Sequence, residues 1–229
     1  MKEGIQIIDF HSHILPGVDH GSYSLHTSLK QISIMSLHGV DVAVATPHFY
    51  PNEHQIEAFL EKRAEAEQRL IAALDDTAPK IISAAEVLIC EGLENMNSLE
   101  KLCIGNTNYL MLEMPLGHWN ESLFDTVVNI KKLGIVPIMA HIDRYLKLDV
   151  DALIDLGVLV QVNAEAMLSS QKRKRIFRMV EDDLVVALGS DLHQVDARAY
   201  KHFDKAIIKL GDSAETIMAR SAEILGLNN

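Results

Sequence analysis

Cysteine is nearly missing from this chain of 229 residues, with only Cys90 and Cys103 present. Two thiols build no disulfide framework and match no zinc-knuckle spacing, so both are expected as reduced thiols of a cytosolic protein. Long apolar runs are missing too. No segment approaches the ~20 apolar residues of a membrane span. Lys2 and Glu3 lead directly into the first strand-like run, which leaves no room for a signal peptide. Nor is there a surplus of positive charge: Lys and Arg number 21 against 32 Asp and Glu, a formal net charge of −11. Binding to a nucleic-acid backbone runs on a Lys/Arg surplus, so nucleic acid is excluded as the main partner, although a local pocket for one phosphate is not. Neither G-x-G-x-x-G nor a Walker sequence follows any apolar run, which leaves a nucleotide-binding fold without its signature. Repeats, low-complexity tracts and Pro/Gly/Ser linkers are absent. Residues 1–229 therefore read as one soluble, cytoplasmic domain with no membrane insertion, its oligomeric state left open.

What is present is an alternation. Short runs rich in Val, Ile and Leu predict strands near 5–10, 41–46, 80–85, 108–114, 135–140, 158–163 and 184–189. They lack sustained in/out alternation, as strands buried on both faces do. Helical patterns fall between and after them, near 24–38, 54–75, 121–133, 149–157, 169–182, 198–210 and 212–225. Ser24 and Ser169 can cap N-termini, and Gly39 and Gly134 stand where helices should end. Repeated strand–helix units imply a parallel sheet. Seven strands fit a closed, irregular (β/α) barrel better than an open doubly wound sheet.

Potential metal ligands cluster just past the ends of these runs. Asp9-Phe10-His11-Ser12-His13 follows the first, Thr46-Pro47-His48 the second and Glu86 the third. Glu113 ends the fourth, His141-Ile142-Asp143-Arg144 follows the fifth, and Asp191-Leu192-His193 follows the last. A parallel barrel gathers its C-terminal strand ends on one face, so these residues should meet. In an extended segment Asp9, His11 and His13 share a side, so two imidazoles can chelate one ion. Asp9, below them, could accept a ring N–H and set a tautomer. The amides Gln161 and Asn163, at the sixth strand end, suit substrate or supporting hydrogen bonds better than metal. Each residue taken singly has an ordinary explanation as a surface or core side chain, but that explanation must be repeated at six strands. His26, His38, His54, His118 and His202 show no such placement. The basic run Lys172, Arg173, Lys174, Arg175 and Arg178 reads as a solvated helix face.

Together these motifs resemble the polymerase-and-histidinol-phosphatase (PHP) superfamily. The opening Asp9-Phe10-His11-Ser12-His13-Ile14-Leu15-Pro16-Gly17 and Thr46-Pro47-His48 resemble most its manganese-dependent bacterial tyrosine-protein phosphatases of capsule and exopolysaccharide synthesis, the CpsB/CapC type. The resemblance runs from residue 5 to about residue 198. It implies a distorted (β/α)7 TIM-like barrel, the PHP fold, carrying three divalent ions, manganese first and zinc or iron as alternatives. By motif, one ion would take His11, His13, Glu86 and Asp191, with Glu86 bridging to a second held also by Glu113 and His141. The third would take His48, His193 and the residue before Gly21. That residue is an aspartate in the family and His20 here, which trades a negative charge for a nitrogen donor and shifts preference toward zinc or iron. The family's His-Pro-Glu-Arg becomes His141-Ile142-Asp143-Arg144, and its arginine is kept.

The implied chemistry is attack on a phosphate ester by metal-activated water, with Arg144 holding phosphoryl oxygens. Arg198 matches a family arginine and is either a second clamp or an exposed residue opening a helix. A tyrosine phenol, pKa about 10, leaves with less protonation than an alkyl alcohol requires. His48, Asp19 and Asp143 are the candidates to supply a proton. The resemblance implies a phosphotyrosine protein as substrate, a bacterial tyrosine kinase foremost, and control of polysaccharide export. The competing readings are a histidinol-phosphate-type phosphatase of the same superfamily, an amidohydrolase-type enzyme acting on C–N bonds, and a non-catalytic phosphotyrosine-binding regulator.

Overall fold

The computed structural model describes residues 6–117 and 119–227. Ile5, where the first strand was expected to begin, and His118 lie outside the described residues. The strands are β1 (Ile8–Ser12), β2 (Val42–Ala45), β3 (His48–Phe49), β4 (Lys80–Ser83), β5 (Glu86–Leu88), β6 (Tyr109–Glu113), β7 (Val136–Met139), β8 (Leu159–Asn163) and β9 (Val185–Gly189). The α-helices are α1 (Leu25–Leu37), α2 (Ile56–Ile71), α3 (Glu121–Lys132), α4 (Lys147–Asp155), α5 (Ser170–Glu181), α6 (Ala197–Leu210) and α7 (Asp212–Ile224).

All pairings are parallel, in two sheets of order β1-β2-β4 and β3-β5-β6-β7-β8-β9. The sheets are one barrel broken across two strands. Pro47 has no N–H to give the ladder, and beyond it, past the second predicted strand, the short strand β3 forms. Past the third predicted strand, β5 follows β4 across Ala84-Ala85 in the same way. Hydrogen bonds carry the ladder over the gap: Ala84 N donates to Ala45 O at 2.8 Å and Glu86 N to Pro47 O at 3.1 Å. At the other seam β9 closes on β1, with Asp191 N donating to His11 O at 2.8 Å and His13 N to Leu192 O at 2.9 Å. The seven predicted strands thus become a distorted (β/α)7 barrel.

Burial on both faces explains the uninterrupted apolar strands. In β1, Ile8 and Phe10 are sealed from solvent, and so are Asp9, His11 and Ser12. Fully burying such an apolar side chain contributes roughly 1.5–3 kcal/mol. Helix α7 ties the outer layer to the seam, its Ser221 hydroxyl donating to Val186 O at 2.9 Å. Ser24 and Ser169 cap α1 and α5, and Gly39 and Gly134 take the left-handed conformation just past α1 and α3, as expected. No helix among the described residues is long and apolar enough to cross a membrane. Cys90 and Cys103 are free thiols.

Candidate metal centre

The break in the barrel is what builds the site. In the register His48 faces Glu86, and Leu88 faces Glu113 on the next strand. Parallel neighbours in register point their side chains the same way, so the kink at Pro47 delivers His48 beside Glu86. On the opposite wall, β1 brings His11 and His13, and the loop after β9 brings Asp191 and His193. Two glycines let these walls approach. A Cβ on Gly189 would stand 2.5 Å from His11 Cβ, and one on Gly21 would stand 2.3 Å from His13 Cβ. Asp191 and His141 are non-glycine residues at φ +53 and +32. Such conformations cost of order 1–3 kcal/mol and persist only where surrounding structure imposes them.

Glu86 lies at the hub. Its Oε2 is 3.1 Å from His11 Nε2, 3.2 Å from His13 Nε2 and 3.1 Å from His48 Nδ1, while Oε1 is 2.6 Å from His141 Nε2. Glu113 approaches less closely, 3.7 Å from both His48 Nδ1 and His141 Nε2. Ligand atoms of His11, His13 and Asp191 fall within 4.8 Å of one another, as do those of His13, His48 and His193, and of His48, Glu86 and Glu113. Two buried atoms in these groups, Asp191 Oδ1 and His48 Nδ1, have no hydrogen-bond partner. A buried polar atom without a partner is costly. A cation among these nitrogens and carboxylates satisfies both, so the donor set fits divalent metal.

Electrostatics separates the groups. Burial opposes charge on Glu86, but the surrounding imidazoles outweigh it and hold the carboxyl well below its usual range. Burial likewise opposes the His13 cation, and Asp19, Asp191 and Glu86 outweigh it, raising that pKa well above the ordinary value. Burial and the neighbouring His13 push His48 down to about 3 and His193 down to about 4. Glu113 goes the other way: burial and the negative charge of Glu86 raise it to about 7.

A second layer orients the ligands. His11 Nδ1 lies 3.3 Å from Gln161 Oε1, which also accepts from His141 N at 2.6 Å. Gln161 Nε2 donates to Asn163 Oδ1 at 3.1 Å, and Asn163 Nδ2 to Asp191 Oδ2 at 2.9 Å. The amides therefore serve the supporting role read from their type. His13 Nδ1 is 2.6 Å from Asp19 Oδ2, and Tyr145 Oη is 3.1 Å from His141 Nδ1. Sequence reasoning missed the hydroxyl partners Tyr145, Ser190 and Tyr200, since nothing in the spacing of a lone tyrosine or serine marks it as such.

The expectations for Asp9 and His20 change, and Arg198 takes the exposed place that is one of its two readings. Asp9 does lie beneath the histidines, but it sets no tautomer: Gln161 holds the His11 ring, and the Asp9 side chain instead accepts from Ser190, Tyr200 and the His11 backbone N–H. His20 is exposed, its ring stacked face to face on His48 at 4.7 Å and 11°. To act as a ligand it would have to turn out of that stack, because parallel rings do not converge on one ion. Asp19, beside it, is occupied by His13, Gly21 N and His48 N. Arg198 opens α6 with 80% of its side chain exposed and pairs with Asp196. By contrast Arg144, 41% exposed at the rim, pairs with Asp191. A cavity of about 560 Å³ beside Asp191 and His193 carries Arg198 and His202 on its wall, so His202 is nearer the site than its position in sequence indicated. Part of the basic run is tied down too, Lys172 to Asp143 at 3.1 Å and Arg175 to Tyr145 O at 3.2 Å.

Comparison with known proteins supports the same grouping. The family model for capsular polysaccharide synthesis, CpsB/CapC, matches residues 7–220. The tyrosine-protein phosphatase CpsB of Streptococcus pneumoniae is 31% identical over 214 residues, covering 84% of this chain and 85% of that protein. The tyrosine-protein phosphatase YwqE of Bacillus subtilis is 26% identical, covering 96% and 91%. A crystal structure from work on YwqE and CpsB, described as unique metal-dependent tyrosine phosphatases, superposes with a TM-score of 0.81 at 21% identity, covering 97% of this chain and 96% of the other. That superposition speaks to the fold.

Proposed function

The chain belongs to the capsular polysaccharide synthesis CpsB/CapC family, and from that premise we propose that it is a metal-dependent phosphatase that hydrolyses phosphotyrosine in proteins. The observation that carries the reading is the convergence of His11, His13, His48, Glu86, Glu113, His141, Asp191 and His193 at one barrel rim, with Asp191 Oδ1 and His48 Nδ1 buried and without a hydrogen bond. We assign them to three divalent ions, manganese first, with zinc or iron as alternatives. His11, His13, Glu86 and Asp191 would hold one, Glu86, Glu113 and His141 the second, and His48 and His193 the third, with His20 as a further donor once turned. Such ions lower the pKa of bound water toward ~7 and offset phosphate charge.

The protein's own groups do the rest. Arg144 stands half-exposed at the rim, held to Asp191 through one guanidinium nitrogen, and its planar guanidinium can take two phosphoryl oxygens. The strained backbone at His141 and Asp191 is set by neighbouring bonds before substrate arrives, so little reorganisation is left for binding. A phenol of pKa about 10 departs without a strong acid, which suits a site whose carboxylates Glu86 and Asp191 are held ionised. An autophosphorylated tyrosine kinase of the capsule or exopolysaccharide machinery is the protein substrate we assign, in the cytoplasm.

Phosphate release from a phosphotyrosine peptide tests this, with phosphoserine peptide and histidinol phosphate in parallel. Metal-stripped protein should regain phosphotyrosine turnover on addition of manganese, zinc or iron, and His13→Ala should not. Turnover of histidinol phosphate alone would move the chain to small-molecule chemistry. Tight phosphopeptide binding without phosphate release would make it a regulator.

A further inference from the structure

One carboxylate lies in the barrel below the ligands and is itself too enclosed to meet substrate. Asp9 is fully buried, and so is Tyr200 on α6. Asp9 Oδ1 accepts from Ser190 N at 2.8 Å and from His11 N at 3.3 Å. Its Oδ2 accepts from Ser190 Oγ at 2.6 Å and from the Tyr200 hydroxyl. Ser190 Oγ in turn accepts from Leu192 N at 3.2 Å. These bonds bracket Asp191 on both sides along the chain, and Asp191 is the residue whose φ is +53. A non-glycine residue is uncommon at positive φ, and although aspartate visits it more readily than most, the conformation persists where its surroundings impose it. Here the residue before it is held at its amide and its hydroxyl, and the residue after it is held at its amide.

We propose that Asp9, Ser190 and Tyr200 form a buried latch that fixes the loop after β9, so that Asp191 and His193 are presented to metal in their ligating positions. The three are positioning residues. They act through the backbone of Asp191, and Tyr200 links that geometry to α6. The inference rests on the metal-centre reading above. It concerns only the wall made by β1 and β9, because Glu113 and His141 come from β6 and the loop after β7.

The experiment is binding of Mn2+ alone to metal-stripped full-length protein, by calorimetric titration together with the ion content per chain after gel filtration. Ser190→Ala removes the hydroxyl and Ser190→Thr keeps it; Tyr200→Phe keeps the packing and removes one donor to Asp9. Removing an outer partner of a ligand typically costs 10–100-fold in metal affinity. Ser190→Ala and Tyr200→Phe should each weaken Mn2+ binding by roughly 10-fold or more and retain fewer ions per chain. Ser190→Thr should restore the parent affinity. The far-ultraviolet circular dichroism of all three should match the parent. Parent-like Mn2+ affinity in both Ser190→Ala and Tyr200→Phe overturns the latch and leaves the metal centre standing. Equal loss in Ser190→Thr and Ser190→Ala also overturns it, since the hydroxyl would then not be the cause. A parent that binds no divalent ion overturns the metal reading itself, and the latch with it.

Discussion

The two walls of the centre are built to different standards. On the β1/β9 wall, His11 leans on Gln161, His13 on Asp19 at 2.6 Å, and Asp191 on both Arg144 and Asn163. On the β3/β5/β6 wall, His48 Nδ1 lies 3.1 Å from Glu86 Oε2 without a hydrogen bond, and among the described residues the Glu113 carboxylate comes no closer than 3.7 Å to an imidazole. Glu86 serves both walls. The first wall is pre-organised by its own protein partners. The second sets the Glu113 carboxyl near the ionised Glu86 with only partial offset from Arg144, and burial together with that charge pushes Glu113 up to about 7. Loss of metal is expected to strain the second wall more than the first.

The sharpest way to break that comparison is to remove one carboxylate charge from each wall. Asp191→Asn takes away a carboxylate whose buried Oδ1 lies 3.3 Å from His193 Nδ1 without a hydrogen bond, so Mn2+-dependent phosphotyrosine turnover should fall by at least ~100-fold. Glu113→Gln should also cost turnover, but it should raise the melting temperature of the metal-stripped protein, because a repelled buried charge is gone. Thermal melts of both variants, with and without Mn2+, check this. A lower melting temperature for metal-stripped Glu113→Gln would mean that the second wall is as well supported as the first.

Packing gives the next largest effect. Gly189 lets β9 lie against β1, and an added Cβ would meet His11 Cβ at 2.5 Å and Gln161 Nε2 at 2.7 Å. Neither neighbour is a free-swinging chain end. Gly189→Ala should destabilise by about 1–3 kcal/mol, read from urea unfolding, and should reduce metal affinity by displacing His11. No comparable clash is available on the other wall, where the strands are already broken.

Much of this was legible in the sequence because strand ends are marked by residue type. Apolar β-branched runs fixed where His11, His48, Glu113, His141 and Asp191 emerge, and the parallel pattern required those ends to share a rim. What stayed hidden depended on lateral neighbours. Nothing along the chain says that Asp9 faces Ser190 and Tyr200, 181 and 191 residues away, or that His20 stacks on His48 instead of turning inward. The short strands β3 and β5 beyond the second and third runs were not foreseen, since His48 and Glu86 read as loop residues past the strand ends and Ala84-Ala85 carries no signal of an interruption.

Acidity offers a finer test of the same contrast. Glu113 has its pKa raised to about 7 from 4.5, so its contribution to folding is complete below the unfolded value and is lost as pH rises through about 7. The metal-stripped parent should therefore lose stability relative to Glu113→Gln across that interval, and Mn2+ should restore it. Binding must also expel the Glu113 proton wherever that proton is present. Calorimetry in buffers of different ionisation enthalpy should show more proton release per ion near pH ~6 than near pH ~8. Glu113→Gln should remove part of the excess at the lower pH. His48 and His193, held down to about 3 and 4, are already neutral in that range and contribute nothing to the difference.

The smallest effect should come from outside both walls. Arg198 stands on the wall of the cavity beside Asp191 and His193, yet of the two arginines it is Arg144 that touches a ligand. Arg198 is 80% exposed and is held at 3.2 Å by Asp196, the N-cap of the helix whose second residue it is. Substitutions at such positions usually change stability by less than about 0.5 kcal/mol. Arg198→Ala should leave unfolding unchanged within that margin and lower kcat/KM for a phosphotyrosine peptide by less than about threefold, against ten-fold or more for Arg144→Ala. A loss at Arg198 equal to that at Arg144, appearing in KM with kcat preserved, would show that the start of α6 closes on the bound phosphate. The preformed wall would then extend beyond Asp191 and His193 into the helix that carries Tyr200.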